Sequence, residues 1–281
     1  MERSPGEANP GPLPPNAKLS QREKRLRWLA IGLGVAPIVG FVALRLTVVS
    51  YKIPSGSMIP TILPGDRILA RRGAAEPPAR GEVIIFEFPE NRQQDFIKRT
   101  IAQPGDTLEV LDGRPILNGW AVPSCKVGPY AVDGKTLTLY LEFLGDRSYG
   151  VLFEQAPPET TCKTQTECGT GEVCKAGMCG AMIQGPFHVP SGEVWVMGDN
   201  RNNAYDSRAW RGGLGAGLPL DHIHAHGGWV WLGADGGGDR AFKAIAGVPV
   251  LPPGAAGLAG AVEKCLRERP PVEKTTPPPP R

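Results

Sequence analysis

Apolar and polar positions change rhythm several times along these 281 residues. Positions 1–20 show no apolar periodicity and are rich in Pro, Gly, Asn and Ser, so they are expected to be disordered. The basic stretch Gln21-Arg22-Glu23-Lys24-Arg25-Leu26-Arg27 then leads into an uncharged, largely apolar run, Trp28 to Leu44, closed by Arg45. That run is short for a hydrocarbon core of about 30 Å, but Leu46 to Val49 extend it and Arg45 can snorkel. Pro37 need not break a helix in lipid. Positions 21–47 therefore predict a basic flank and a transmembrane anchor. From 48 to 250 short strand candidates alternate with turns: Ile68 to Ala70, Val83 to Phe88, Thr107 to Leu111, Leu137 to Phe143, Glu193 to Met197 and Gly228 to Leu232. The rhythm is lost again in 251–281, which is Pro/Gly/Ala-rich, ends in four prolines and an arginine, and reads as an unfolded extension.

Two other readings of the apolar run are a cleaved secretory signal and a buried core helix. Val42-Ala43-Leu44-Arg45 offers no small-x-small cleavage site, which favours an anchor. Lys18, Arg22, Lys24, Arg25 and Arg27 precede the span, whereas only Arg45 and Lys52 follow closely. The positive-inside rule then puts the N-terminus in the cytoplasm and the body of the protein on the outer side of the cytoplasmic membrane.

Composition sharpens the picture in two respects. With 37 Gly and 30 Pro, brief strands joined by turns are favoured over a helical bundle, so 48–250 is expected to be mainly β. A net charge of +3, without a basic patch interleaved with aromatics, argues against nucleic acid as a partner. Four of the six cysteines, Cys162, Cys168, Cys174 and Cys179, fall in an insert at about 158–182 that has few apolar residues. Gaps of five residues between the first three suit zinc poorly, and disulfides in an oxidising compartment fit better. Of the three pairings possible, Cys162 with Cys174 and Cys168 with Cys179 is taken as the expectation, with Cys125 and Cys265 left as free thiols.

Three segments carry the chemistry. In Ile53-Pro54-Ser55-Gly56-Ser57-Met58-Ile59-Pro60-Thr61, the prolines and Gly56 fix a backbone path that could bring a serine hydroxyl and a backbone N–H to one point. In Asp95-Phe96-Ile97-Lys98-Arg99-Thr100-Ile101, a lysine lies inside a strand-like apolar run. Burial would depress its pKa and make a neutral amine available as a base. Met197-Gly198-Asp199-Asn200-Arg201-Asn202-Asn203-Ala204-Tyr205-Asp206-Ser207-Arg208 is dense in groups that brace loops. Taken singly, these segments read as a turn with serines, a surface lysine paired with Asp95 or Asp106, and a polar loop.

In this order, behind the apolar anchor, the three segments resemble the sequence boxes of bacterial type I signal peptidases. The resemblance implies an antiparallel β catalytic domain and a serine endopeptidase that removes signal peptides from secretory preproteins after small-x-small motifs, using neither metal nor organic cofactor. It implies Ser57 as nucleophile and Lys98 as general base, with the Ser55 hydroxyl and the Ser57 N–H forming the oxyanion hole. Ile53, Pro54, Ile62, Phe96 and Ile97 are expected to shape the substrate pockets, and Asp199, Arg201, Asp206 and Arg208 to support the dyad. Secretory preproteins and the lipid bilayer are the implied partners, while oligomeric state is left open.

The chain departs from that pattern in three places. Ala204 stands where many members carry a hydroxyl that contacts the lysine, so another group has to orient Lys98. Ala102 replaces a usual glycine, and the cysteine-rich insert is longer than expected. His222, His224 and His226 would share one strand face, but no carboxylate cluster accompanies them to suggest a metal site. A self-cleaving repressor-type Ser/Lys protein would lack both anchor and cysteine cluster. An inactive binding module of the same fold would be expected to have lost Ser57 or Lys98.

Overall fold

The apolar run is preceded by Ser-x-x-Glu, and the computed structural model shows why the helix starts there. Ser20 Oγ accepts the Glu23 N–H at 3.2 Å, and the Ser20 N–H donates to Glu23 Oε2 at 2.7 Å. This reciprocal capping satisfies two otherwise orphaned donors. Helix α1, Gln21–Thr47, follows, with Pro37 inside it. Its most apolar stretch has a mean hydropathy of 2.1, and the helix is long and apolar enough to cross a membrane. Residues up to Leu46 form one unit and Thr47–Arg281 a second. The structure describes residues 20–73, 77–234, 236, 238, 240–248, 251 and 253–280. The expected disorder of 1–20 lies outside these, except at Ser20.

The second unit is mainly β. It opens with β1 Val48–Lys52, β2 Arg67–Arg72, β3 Val83–Phe88 and β4 Asn91–Ala102. Three short strands follow: β5 Thr107–Leu111, β6 Arg114–Leu117 and β7 Trp120–Ala121. A meander comes next, β8 Ser124–Val132, β9 Lys135–Leu144 and β10 Arg147–Phe153. The cysteine-rich insert holds β11 Val173–Lys175 and β12 Met178–Gly180. The chain then runs through β13 Ile183–His188, β14 Glu193–Met197, β15 Leu218–Pro219, β16 Ile223–Leu232 and β17 Lys243–Ala244. It ends with α2 Ala259–Arg267 and the single turn α3 Val272–Thr275.

The large sheet has the order β1-β2-β16-β3-β4-β14-β15, with β17 added to β16, and a second has the order β13-β5-β6-β7. The meander forms a third sheet and the insert a two-stranded ribbon. Asp112-Gly113, Asn118-Gly119 and Asp133-Gly134 have positive φ at both positions and join β5 to β6, β6 to β7 and β8 to β9. These are the residues that two-residue hairpins select, because their twist matches that of the strands.

Two expectations require correction. The described residues of 251–281 are not an unfolded extension: Val262 and Cys265 of α2 pack with Val127, Tyr130, Leu137 and Leu139 of the meander. Further on, Thr275 Oγ1 donates to Gly145 O at 2.6 Å, and Asn118 Nδ2 donates to Pro278 O at 2.7 Å. Nor are Cys125 and Cys265 free, since they are bonded to each other across 140 residues. Pro/Gly/Ala content dominates the composition and hides a short apolar helix face that becomes stable only when a distant strand receives it. The insert pairs Cys162 with Cys174 and Cys168 with Cys179. It leans on the β5–β6 hairpin, where Arg114 donates to Pro158 O and Cys179 O.

Replacing Cys125 and Cys265 together by serine is expected to cost about 2–4 kcal/mol, because the bridge closes a long loop in the unfolded chain. Denaturant unfolding in detergent checks this. A midpoint equal to that of the parent would mean that the packing of α2 suffices without the bridge.

Candidate active site

The first box folds into a tight, buried loop between β1 and β2. Ile53 N donates to Asp66 O at 2.9 Å and Gly65 N to Ile53 O at 2.7 Å, which closes the base of the loop. Within it, Ile59 N donates to Gly56 O and Ile62 N to Met58 O, a helix-like turn that puts Met58 and Ile62 on one inward face. Ser57 stands at the head of that turn, 7% exposed.

Lys98 comes from β4, where it pairs in register with Ile84 of β3, and is 4% exposed. Its Nζ lies 2.9 Å from Ser57 Oγ and 2.9 Å from Ile97 O. The Ile97 carbonyl thus supplies an orienting contact that Ala204 cannot make through its side chain. Burial lowers the Lys98 pKa to about 8, against the opposing pull of Asp206 and Asp199. Ser55 Oγ is 3.4 Å from Ser57 Oγ.

The third box fixes the serine loop from behind. Asn200 N donates to Ser57 O at 3.1 Å and Asn200 Nδ2 to Gly56 O at 3.2 Å. A Cβ at Gly198 would collide with Ala204 Cβ and come within 2.6 Å of Ser57 O, so the close approach of these two loops requires glycine. Asp206 accepts the Gly198 N–H at 2.9 Å and holds Arg208 through Nε at 2.9 Å and Nη2 at 2.8 Å. Asp199 receives a two-pronged bond from Arg99 at 2.8 and 2.6 Å and a hydroxyl bond from Thr61. Arg201 is paired in the same forked way with Glu142, at 2.7 and 2.6 Å.

Of the residues expected to shape the substrate pockets, Pro54, Phe96 and Ile97 line a cleft of about 550 Å³ together with Ser55, Ser57 and Lys98. Ile53 and Ile62 do not line it. They belong to the apolar cluster with Met58, Ile68 and Ile85, for the reason the loop's own hydrogen bonds provide. Asp199, Arg201, Asp206 and Arg208 do not line the cleft and are each ion-paired, to Arg99, Glu142 and, for the last two, each other. Sequence reasoning missed Asn202, Asn203 and Tyr205, which line the cleft, and Arg99 and Glu142, which complete the buried pairs. Glu142 was detectable as a lone carboxylate in the apolar run Leu137-Thr138-Leu139-Tyr140-Leu141-Glu142-Phe143-Leu144. Such a group must find a cation when its strand is buried.

The three histidines go to separate partners: His222 to Glu87 O, His224 to Asp95 and His226 to Glu82. Among the described residues they join no cluster of metal-ligating atoms.

Comparison with known proteins gives a consistent answer. The family model described as signal peptidase, peptidase S26, matches residues 25–232. The signal peptidase I of Aquifex aeolicus is 32% identical over 188 residues, which covers 57% of this chain and 68% of that protein. That of Pseudomonas fluorescens is 31% identical over 175 residues, 57% of this chain and 54% of the relative. The one from Pseudomonas aeruginosa is 29% identical over 215 residues, with 70% and 68% covered. The segment that carries α2 and α3 lies beyond the family match.

Proposed function

Because the chain belongs to the signal peptidase family, peptidase S26, we propose that it is a signal peptidase I. In this reading it is a membrane-anchored endopeptidase that removes N-terminal signal peptides from exported preproteins, with Ser57 as nucleophile and Lys98 as general base. One observation carries the assignment: a buried amine with a pKa near 8 hydrogen-bonded to a buried serine hydroxyl at 2.9 Å. A serine hydroxyl is a weak nucleophile until a neighbouring base removes its proton, and a desolvated lysine does this without histidine.

Neutral Lys98 takes the Ser57 proton as Oγ attacks the scissile carbonyl. The ammonium so formed passes that proton to the departing amine, leaving an acyl-enzyme on Ser57. Lys98, neutral again, activates the water that hydrolyses the ester. The tetrahedral oxyanion forms twice, and the Ser55 hydroxyl and Ser57 N–H are the donors assigned to it. The Ser57 N–H has no acceptor among the described residues, which leaves it available for that role. Losing one such donor typically costs about 10²–10³ in rate.

Pro54, Ile97 and Ala204 make the wall next to the dyad short and apolar, which suits the small residues of a small-x-small motif. The basic flank of α1 supports a cytoplasmic N-terminus, and three disulfides support an oxidising environment for the catalytic unit.

The test is to incubate the purified protein with a preprotein, measure the mass of the released products, and repeat this from pH 6 to pH 10. Only the unprotonated amine is active, so kcat/KM should rise about tenfold per pH unit below 8 and level off above it. Cleavage at a rate independent of pH over this range would remove Lys98 from the role of base.

A further inference from the structure

The cleft that holds Ser57 has an aromatic side that the Ser/Lys chemistry leaves unused. Phe88, at the end of β3, is 8% exposed and acts as its foundation. Phe96 stacks flat against it, with ring centres 4.6 Å and planes 6° apart. Tyr205 meets the same ring edge-on at 5.8 Å and 72°. Phe96 and Tyr205 both line the cleft.

Tyr205 is 47% exposed, and its ring is held by the edge-on contact with Phe88. Its hydroxyl lies 3.5 Å from Glu90 Oε2, and Glu90 Oε1 in turn accepts the Arg211 N–H at 2.6 Å. A ring held this way loses little freedom when a ligand covers it, so the apolar area it offers converts efficiently into binding. Asn202 and Asn203 line the same cleft and supply amides able to bond a peptide backbone.

We propose that Tyr205 is a specificity-determining residue of this cleft. With Phe96 it forms a subsite for a bulky apolar or aromatic side chain of the substrate. The proposal rests on the peptidase reading and goes beyond it by naming a recognition position besides the two small residues. That position is not the residue whose carbonyl is attacked. The carbonyl must lie against Ser57 Oγ, and the attacked residue is assigned to the Pro54, Ile97 and Ala204 lining, with the bulky side chain assigned to Phe96, whose ring centre is 5.1 Å from Lys98 Nζ. A cationic side chain is the rival occupant, because Asp95 lines the cleft and Glu90 is near. Asp95 already faces His224 at 3.6 Å, Glu90 is engaged by Arg211 and Tyr205, and Lys98 becomes cationic during the reaction. The apolar rings are what remains to be covered.

The experiment uses the full chain in detergent and a set of peptides spanning one cleavage site. Each position within three residues of the scissile bond is varied through Ala, Leu, Phe and Lys, and kcat/KM is measured for each peptide. The wild type should prefer Leu or Phe to Ala by about 5-fold at one position next to the attacked residue. Tyr205→Ala should reduce that preference to below about 2-fold, chiefly through KM, while Tyr205→Phe retains it. If Tyr205→Ala cleaves nothing, Tyr205→Leu, which keeps bulk without the ring, should show the lost discrimination between Phe and Ala. Identical profiles for wild type and the Tyr205 variants would overturn the inference and leave the peptidase reading standing, as would a wild-type preference for Lys. A wild-type protein that cleaves no peptide and no preprotein overturns the peptidase reading, and this inference with it.

Discussion

Lys98→Met is expected to lower the single-turnover rate of preprotein cleavage by a factor of at least about 10³, and Ser57→Ala by at least as much. Methionine matches the length and bulk of the lysine stem, so the 4%-exposed site stays filled and the loss reports chemistry rather than collapse. Arginine in the same place should be as inactive as methionine, since a guanidinium does not deprotonate in this pH range. In the proposed mechanism the two groups, 2.9 Å apart, act as a unit, so Ser57→Ala/Lys98→Met should be no slower than the worse single variant. A Lys98→Met protein that processes preprotein within tenfold of the parent rate would show that another group takes the Ser57 proton.

How much of this was legible in the sequence depended on whether a signal was local. The strands of the large sheet carry β-branched or alternating runs, and β3 and β14 fall on Val83–Phe88 and Glu193–Met197, the ranges read from the pattern. The resemblance of their boxes to a known family singled out Ser57 and Lys98, whose side-chain atoms the fold brings to 2.9 Å across 41 positions. What escaped was non-local. The family resemblance implied Ile62 as a wall of the cleft, whereas its hydrogen bond to Met58 O and its place in the apolar cluster turn it toward the core. Cys125 and Cys265 are unremarkable singly and acquire meaning only when α2 docks on the meander. Tyr205 reads as one more residue of a polar loop, and its place beside Phe88 depends on how that loop folds over the end of β3.

Asp199→Ala is expected to destabilise the catalytic unit by about 3–5 kcal/mol, more than the loss of any exposed ion pair. Arg99 is 0% exposed and has Asp199 as its ion-pair partner, with further bonds to Thr61 and Gly81 O and its guanidinium 4.1 Å from the Tyr149 ring centre. Removing the carboxylate leaves a cation in the interior with no counter-charge, and that uncompensated burial dominates the cost. Replacing both partners by apolar residues, Arg99→Met/Asp199→Leu, should therefore be less damaging than either single change, a non-additivity that a double-mutant cycle in denaturant measures directly. The same carboxylate also acts on the dyad, because its negative charge raises the Lys98 pKa against the effect of burial. Asp199→Asn keeps the size of the side chain while removing that charge, so the pH midpoint of cleavage should move below about 8 in whatever fraction of the variant remains folded. Stability and base strength are thus tied to one buried group. An Asp199→Asn protein whose pH midpoint stayed in place or rose would separate the two roles and show that the Asp199 charge does not raise the Lys98 pKa.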